Sequence, residues 1–208
     1  MRRFKNMKFA RRFSPALIAI LTFVFALSAL SFAKDKESRF PNIKIKNFGQ
    51  MDERFYRGAR PKDEDYQALA ALGINTVIDL TDNSMEYEKP AVEALGMRYV
   101  NIPMVDKGYP KIEQVHEFMK LVNDPSTGKF YVHCAGGRHR TGVVGAVYRF
   151  NNDKWNLDQV MDEMTRYQFN SGFGHGKQKA FVKDYWEQFQ AKQVNSNATS
   201  AATAAGSR

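Results

Sequence analysis

The segment Phe130-Tyr131-Val132-His133-Cys134-Ala135-Gly136-Gly137-Arg138-His139-Arg140-Thr141-Gly142 decides how the rest of the chain is read. Its apolar start (130–133) predicts a buried strand, and the small-residue run Val143-Val144-Gly145-Ala146-Val147 predicts a helix packed close behind it. A glycine-rich loop between strand and helix is an anion-binding arrangement. Backbone N–H groups of residues 135–140 can curl into a nest, and the helix N-terminus adds positive potential. Gly136 and Gly137 permit the backbone angles and close approach a nest requires. Arg140 can grip two oxygens of a tetrahedral oxyanion with its planar fork. The same field lowers the pKa of Cys134 and favours a thiolate, placed at the cup floor to attack phosphorus in line through a covalent cysteinyl intermediate.

On either side of this segment, short β-branched or aromatic runs at 43–46, 55–57, 76–80, 98–102 and 130–133 alternate with helix-period segments. Helices are expected at 62–72, at about 86–95, and on the stripe Ile112, Val115, Met119 and Val122. Three more follow: 141 to about 151, one capped by Asn156 with Gln159, and one carrying Phe181, Tyr185 and Phe189. The fold class is α/β, a mainly parallel central sheet of four to five strands flanked by helices. Ligands of such sheets sit at the carboxyl ends of strands, which is where the Cys134 loop leaves.

The chain has 208 residues, 43% hydrophobic and 25% charged, enough for one domain with a core and too balanced for long disorder or collagen. A single cysteine excludes a disulfide scaffold. The net charge of +9 points toward nucleic acid only until it is located. Setting aside the six basic residues of 1–33 leaves 25 basic against 22 acidic residues, so the basicity belongs to the N-terminus. There, six arginines and lysines precede an uncharged run from Phe13 to Ala33 that ends Ser31-Phe32-Ala33, the layout of a signal peptide. An uncleaved membrane anchor is the rival reading. Either one puts the rest of the chain outside the cytoplasm, periplasmic or membrane-anchored. Residues 38–190 form the expected domain, and the Ala, Ser, Thr and Asn composition of 191–208 predicts a disordered tail.

The pattern His-Cys-x5-Arg-Thr-Gly at 133–142 resembles the signature of the cysteine-dependent protein tyrosine and dual-specificity phosphatases. A P-loop would need Lys before Ser or Thr, and a zinc site would need more than one Cys/His cluster member here. Low-molecular-weight phosphatases carry their loop near the N-terminus, and rhodaneses that transfer sulfur use a shorter one. The resemblance covers about 40–190 and includes Arg57, in Phe55-Tyr56-Arg57-Gly58-Ala59-Arg60-Pro61, read as architectural, together with Tyr148-Arg149 and 155–164.

What the resemblance implies is a phosphatase hydrolysing phosphomonoesters, of phosphotyrosine and also of phosphoserine or phosphothreonine. Cys134 is then the nucleophile and Arg140 the oxyanion clamp. Thr141 donates to the sulfur and helps the second step. Ala135, Gly136, Gly137, Arg138, His139 and Arg140 bind phosphate, and His133 orients the loop through hydrogen bonds. Asp106, in the Ile102-Pro103-Met104-Val105-Asp106 stretch, is the expected acid, with Asp82 next and Asp79 read as structural. No metal and no cofactor are expected. The expected partners are a phosphorylated protein or small molecule, not nucleic acid, with membrane contact only through an uncleaved N-terminus, and the chain is read as a monomer. No tyrosine-recognition loop is found near the N-terminus, which favours a shallow pocket of broad specificity. The basic run Arg138-His139-Arg140 is similar to plant and fungal members that cleave inositol pyrophosphates, although Ala135-Gly136 lacks that group's further basic residue. An inositol polyphosphate, pyrophosphate or phosphoinositide phosphatase is therefore the alternative, and an inactive phospho-binding module the second.

Overall fold

The apolar runs assemble into a five-stranded sheet in the order β1-β2-β5-β3-β4. The strands are β1 (Gly49–Gln50), β2 (Phe55–Ala59), β3 (Thr76–Thr81), β4 (Arg98–Met104) and β5 (Phe130–Cys134). β1 is antiparallel to β2, while the β2·β5, β5·β3 and β3·β4 pairs are parallel. β2, β3 and β5 are buried along their whole length, which is why they read as continuous runs rather than as alternation. The computed structural model describes residues 40–206, with side chains to residue 196. The signal or anchor reading of 1–33 and residues 38–39 of the expected domain lie outside the described residues.

Helices α1 (Asp63–Ala71), α2 (Glu88–Ala94), α3 (Ile112–Asn123), α4 (His139–Tyr148), α5 (Leu157–Arg166) and α6 (Gly176–Gly206) complete the fold. Asn156 and Gln159 cap α5 reciprocally, each backbone N–H donating to the other's side chain at 3.0 Å. The central helix α4 is buried from Arg140 onward because its small residues allow close approach to the sheet. Phe55 meets Phe130 at 4.9 Å and Tyr148 at 5.0 Å between ring centroids, and Phe150 meets Trp186 of α6 at 4.9 Å. Each such buried ring contributes about 1.5–3 kcal/mol to stability.

Two expectations are corrected. Residues 43–46 are not a strand: Asn47 takes a left-handed backbone (φ 53°) and turns the chain, and the segment touches β2 through the Ala59 N–H donating to the Lys46 carbonyl at 2.8 Å. The antiparallel strand forms later, at β1. At the other end, α6 continues from the aromatic stripe through the stretch predicted as a disordered tail, to Gly206. Residues 191–196 are exposed, and the alanines that follow favour helix without needing a core. Among the described residues, no helix is long and apolar enough to cross a membrane.

Candidate active site

Parallel pairing sets Ala59 of β2 beside Cys134 and Asp79 of β3 beside His133, so three strands deliver their ends to one place. The chain needs only residues 135–138 to pass from β5 into α4. Gly137 makes that turn with φ 63°, and any Cβ there would overlap the Gly58 carbonyl of β2. Outside donors hold the loop carbonyls. Arg57 Nη2 donates to Gly137 O and Asn47 Nδ2 to Gly136 O, both at 2.8 Å, and the Arg60 N–H donates to Ala135 O at 3.4 Å. With the carbonyls pinned outward, the loop N–H groups are left to face the cup.

Cys134 lies at the floor, 3% exposed. Burial alone would push its thiol up. The Thr141 hydroxyl and N–H, the Arg140 charge and the Gly136 N–H outweigh burial and bring it below the ordinary cysteine value. The Thr141 hydroxyl is buried with no other partner. Arg140 Nη1 donates to Asp82 Oδ1 at 2.9 Å and to the Met104 carbonyl at 3.1 Å. Its Nε is buried without a protein partner, which leaves the Nε/Nη2 edge for the two oxygens of an anion. Asp106 Oδ1 stands 3.8 Å from Arg140 Nη2, with its side chain half exposed. Both acid candidates therefore reach Arg140, but Asp82 is committed to orienting it and Asp106 is the freer carboxylate.

Arg57 is fully buried, and burial lowers its pKa. It is held by the Gly137 carbonyl and by the Tyr167 ring, 4.0 Å from its guanidinium, in the architectural role the sequence predicts. Asp79 is structural too, accepting from the Thr81 N–H and hydroxyl and from the Tyr99 hydroxyl at 2.8–2.9 Å.

His133 departs from expectation. Its ring meets acids of β3 and α2, with Nε2 2.8 Å from Glu88 Oε1, poorly aligned for a hydrogen bond, and Nδ1 3.7 Å from Asp79 Oδ1. Glu88 also faces Arg60 Nε at 3.7 Å. Asp79, Glu88 and His133 form a buried group of three possible metal ligands among the described residues. Their nearest charged partners are one another and Arg60, the pattern of an internal clamp behind the loop. Glu88, Asn47, Tyr167 and the Arg140-orienting role of Asp82 were missed by sequence reasoning.

His139 is the last residue before Arg140, and its ring stacks on His175 with centroids 3.4 Å apart and planes 6° from parallel. Burial first, then His175 and Arg138, push its pKa down to about 4, against the opposing pull of Asn170 and Asp106. An unfolded histidine takes its proton near pH 6.5. Between these values the unfolded chain binds more protons, so stability is full above pH 6.5 and falls as pH drops toward 4. His139→Phe should keep the ring stack and flatten that part of the fall. Urea midpoints at pH 7 and pH 5 measure it, and an equal drop in both proteins would remove His139 as its source.

Residues 36–184 match the family model described as "DSP-PTPase phosphatase fused to NAD+ Kinase". The chain is 28% identical over 126 residues to a Mycosarcoma maydis protein named "Putative tyrosine-protein phosphatase OCA1", covering 58% of this chain and 79% of the relative. It is 26% identical over 132 residues to the inositol diphosphatase DSP3 of Arabidopsis thaliana, covering 61% of this chain and 63% of the relative. The core catalytic domain of the PP-IP phosphatase SIW14 from S. cerevisiae, solved with citrate, shares the fold. Its TM-score is 0.62 at 20% identity, covering 76% of this chain and 95% of the domain. With the Cys134 loop at the carboxyl edge of a parallel sheet and this match across the domain, the chain belongs to the DSP-PTPase family of cysteine-dependent phosphatases.

Proposed function

We propose that this phosphatase hydrolyses phosphomonoesters of the phosphotyrosine type through a cysteinyl-phosphate, outside the cytoplasm. The observation that carries the chemistry is the placement of Cys134 at the cup floor, with the Thr141 hydroxyl and N–H, the Gly136 N–H and the Arg140 charge around its sulfur. The location is supported by the basic, then apolar, then small-residue pattern of 1–33. In the first step the Cys134 sulfur forms a bond to phosphorus, the P–O bond to the leaving group breaks, and Asp106 gives that oxygen its proton. In the second, Asp106 takes a proton from water, the new P–O bond forms, and the S–P bond breaks to return the thiolate. Thr141 stabilises the sulfur as it leaves. Arg140 holds the equatorial oxygens in both steps.

Asp106→Asn tests the acid. The expected loss in kcat is about 10²–10³ for phenyl phosphate, the lower half of the range of general acid catalysis, and markedly less for p-nitrophenyl phosphate, whose leaving group needs little protonation. A uniform loss on both substrates would move the acid to another residue. Failure of the unmodified protein to release phosphate from p-nitrophenyl phosphate would favour the inactive binding module.

One observation favours the inositol phosphate alternative. A cavity of about 380 Å³ adjoins the cup, lined by Lys46, Asn47, Ala59, Ala135, Gly136, Arg138 and Gln168, with room and positive charge for a second phosphate. Phosphate release compared across phosphotyrosine, phosphoserine, phosphoinositide and inositol polyphosphate substrates separates the two readings.

A further inference from the structure

The connection between α5 and α6, residues 167–175, meets the edge of the cup at several points. Gln168 lines the cavity with Ala135, Gly136 and Arg138. Phe169 sets its edge on the His139 ring at 5.1 Å, and the Asn170 carbonyl lies 3.0 Å from His139 Nε2. On the far side of the tip, Gly174 lies against the Lys107 side chain, where a Cβ would come within 3.1 Å of Lys107 Cδ. His175 then stacks on His139. The tip is thus tied on one side to the Cys134 loop and on the other to the Asp106 loop.

At that tip stands Phe173, between Gly172 and Gly174. It is 89% exposed, and its backbone has φ 52°, a left-handed conformation that bulky side chains rarely adopt. A lone exposed apolar side chain needs no explanation. This one has company: Val105, 61% exposed, precedes Asp106, and the exposed Met85 and Tyr87 follow Asp82, while Tyr109 is held by Phe181 and Asp184 of α6. Large exposed apolar side chains therefore gather on the loops that carry the acids around a charged cup. Such a rim gives little to a polyol or a short alkyl chain. It suits a ring joined directly to the phosphate, because aromatic rings gain from offset or edge contacts beyond the area they bury.

We propose that Phe173 is a specificity-determining residue, a rim platform for the ring of an aryl phosphomonoester whose phosphate occupies the cup. This rests on the phosphomonoesterase reading above.

The test uses the full chain and Phe173→Ala, with phenyl phosphate and β-glycerophosphate as substrates and phenylphosphonate and methylphosphonate as competing inhibitors. Phe173→Ala should lower kcat/KM for phenyl phosphate about 3–10-fold, mostly through KM, the range of one aromatic contact. The phenylphosphonate inhibition constant should rise by the same factor. β-Glycerophosphate turnover and methylphosphonate inhibition should change by at most about twofold, and Phe173→Tyr should restore the phenyl phosphate value. Equal losses on aryl and alkyl compounds, or no loss on the aryl pair, would overturn the proposal. If the unmodified protein turned over neither substrate, the phosphomonoesterase reading would fall, while the two phosphonates would still decide whether Phe173 recognises a ring.

Discussion

Replacing Cys134 by Ser is expected to lower turnover by at least about 10⁴-fold, the order of loss when a covalent nucleophile is removed. The change of one atom acts through ionisation. The site brings the thiol below its ordinary value, so the sulfur attacks as an anion. A serine hydroxyl starts so much higher that the same N–H groups and the same arginine cannot ionise it. Apart from the Thr141 hydroxyl, the cup is held without the sulfur. Gly136 and Gly137 are held through their carbonyls by Asn47 and Arg57, and Arg140 by Asp82 and Met104. Vanadate should therefore still bind to Cys134→Ser, which calorimetry can measure. Turnover within tenfold of the unmodified protein would remove the covalent mechanism.

Arg140→Lys should cost about 10²–10³ in kcat, the scale of removing a preorganised donor from a developing oxyanion. Charge is kept, so a point-charge account predicts a small effect. The fork account predicts a large one. Arg140 uses Nη1 on Asp82 and Met104 and keeps the Nε/Nη2 edge for substrate, and a lysine ammonium cannot divide its donors this way. Vanadate affinity should fall with kcat, because vanadate in the cup imitates the transition-state oxygens that the fork holds. A loss below about fivefold in both would count against the geometry of the loop.

Cys134, Arg140 and the glycines of the cup were legible because they lie within one strand–loop–helix passage, where local spacing fixes geometry. The supporting residues were not, because they come from far along the chain. Asn47 is 89 residues from the Gly136 it holds, and Asp82 is 58 from Arg140. Glu88 reads in sequence as an ordinary helix-start acid, and only the β5·β3 pairing shows that α2 delivers it to His133. The strand expected at 43–46 failed for a related reason. Its alternating pattern is real and Ile45 is buried, but the turn at Asn47 spends the segment on reaching the loop instead of pairing along β2. The helical extension past residue 190 has the opposite cause, since alanine-rich sequence carries helix propensity that a search for apolar period overlooks.

Cys134 is the chain's one thiol, and it sits at the floor of the cup, where the proposed mechanism needs its nucleophile. Any small thiol reagent that consumes one equivalent per chain has reached Cys134, with no silent background to subtract. The protein therefore carries its own titrant. Loss of activity can be plotted directly against thiols consumed, and one site lost per thiol is the result expected if Cys134 is the nucleophile.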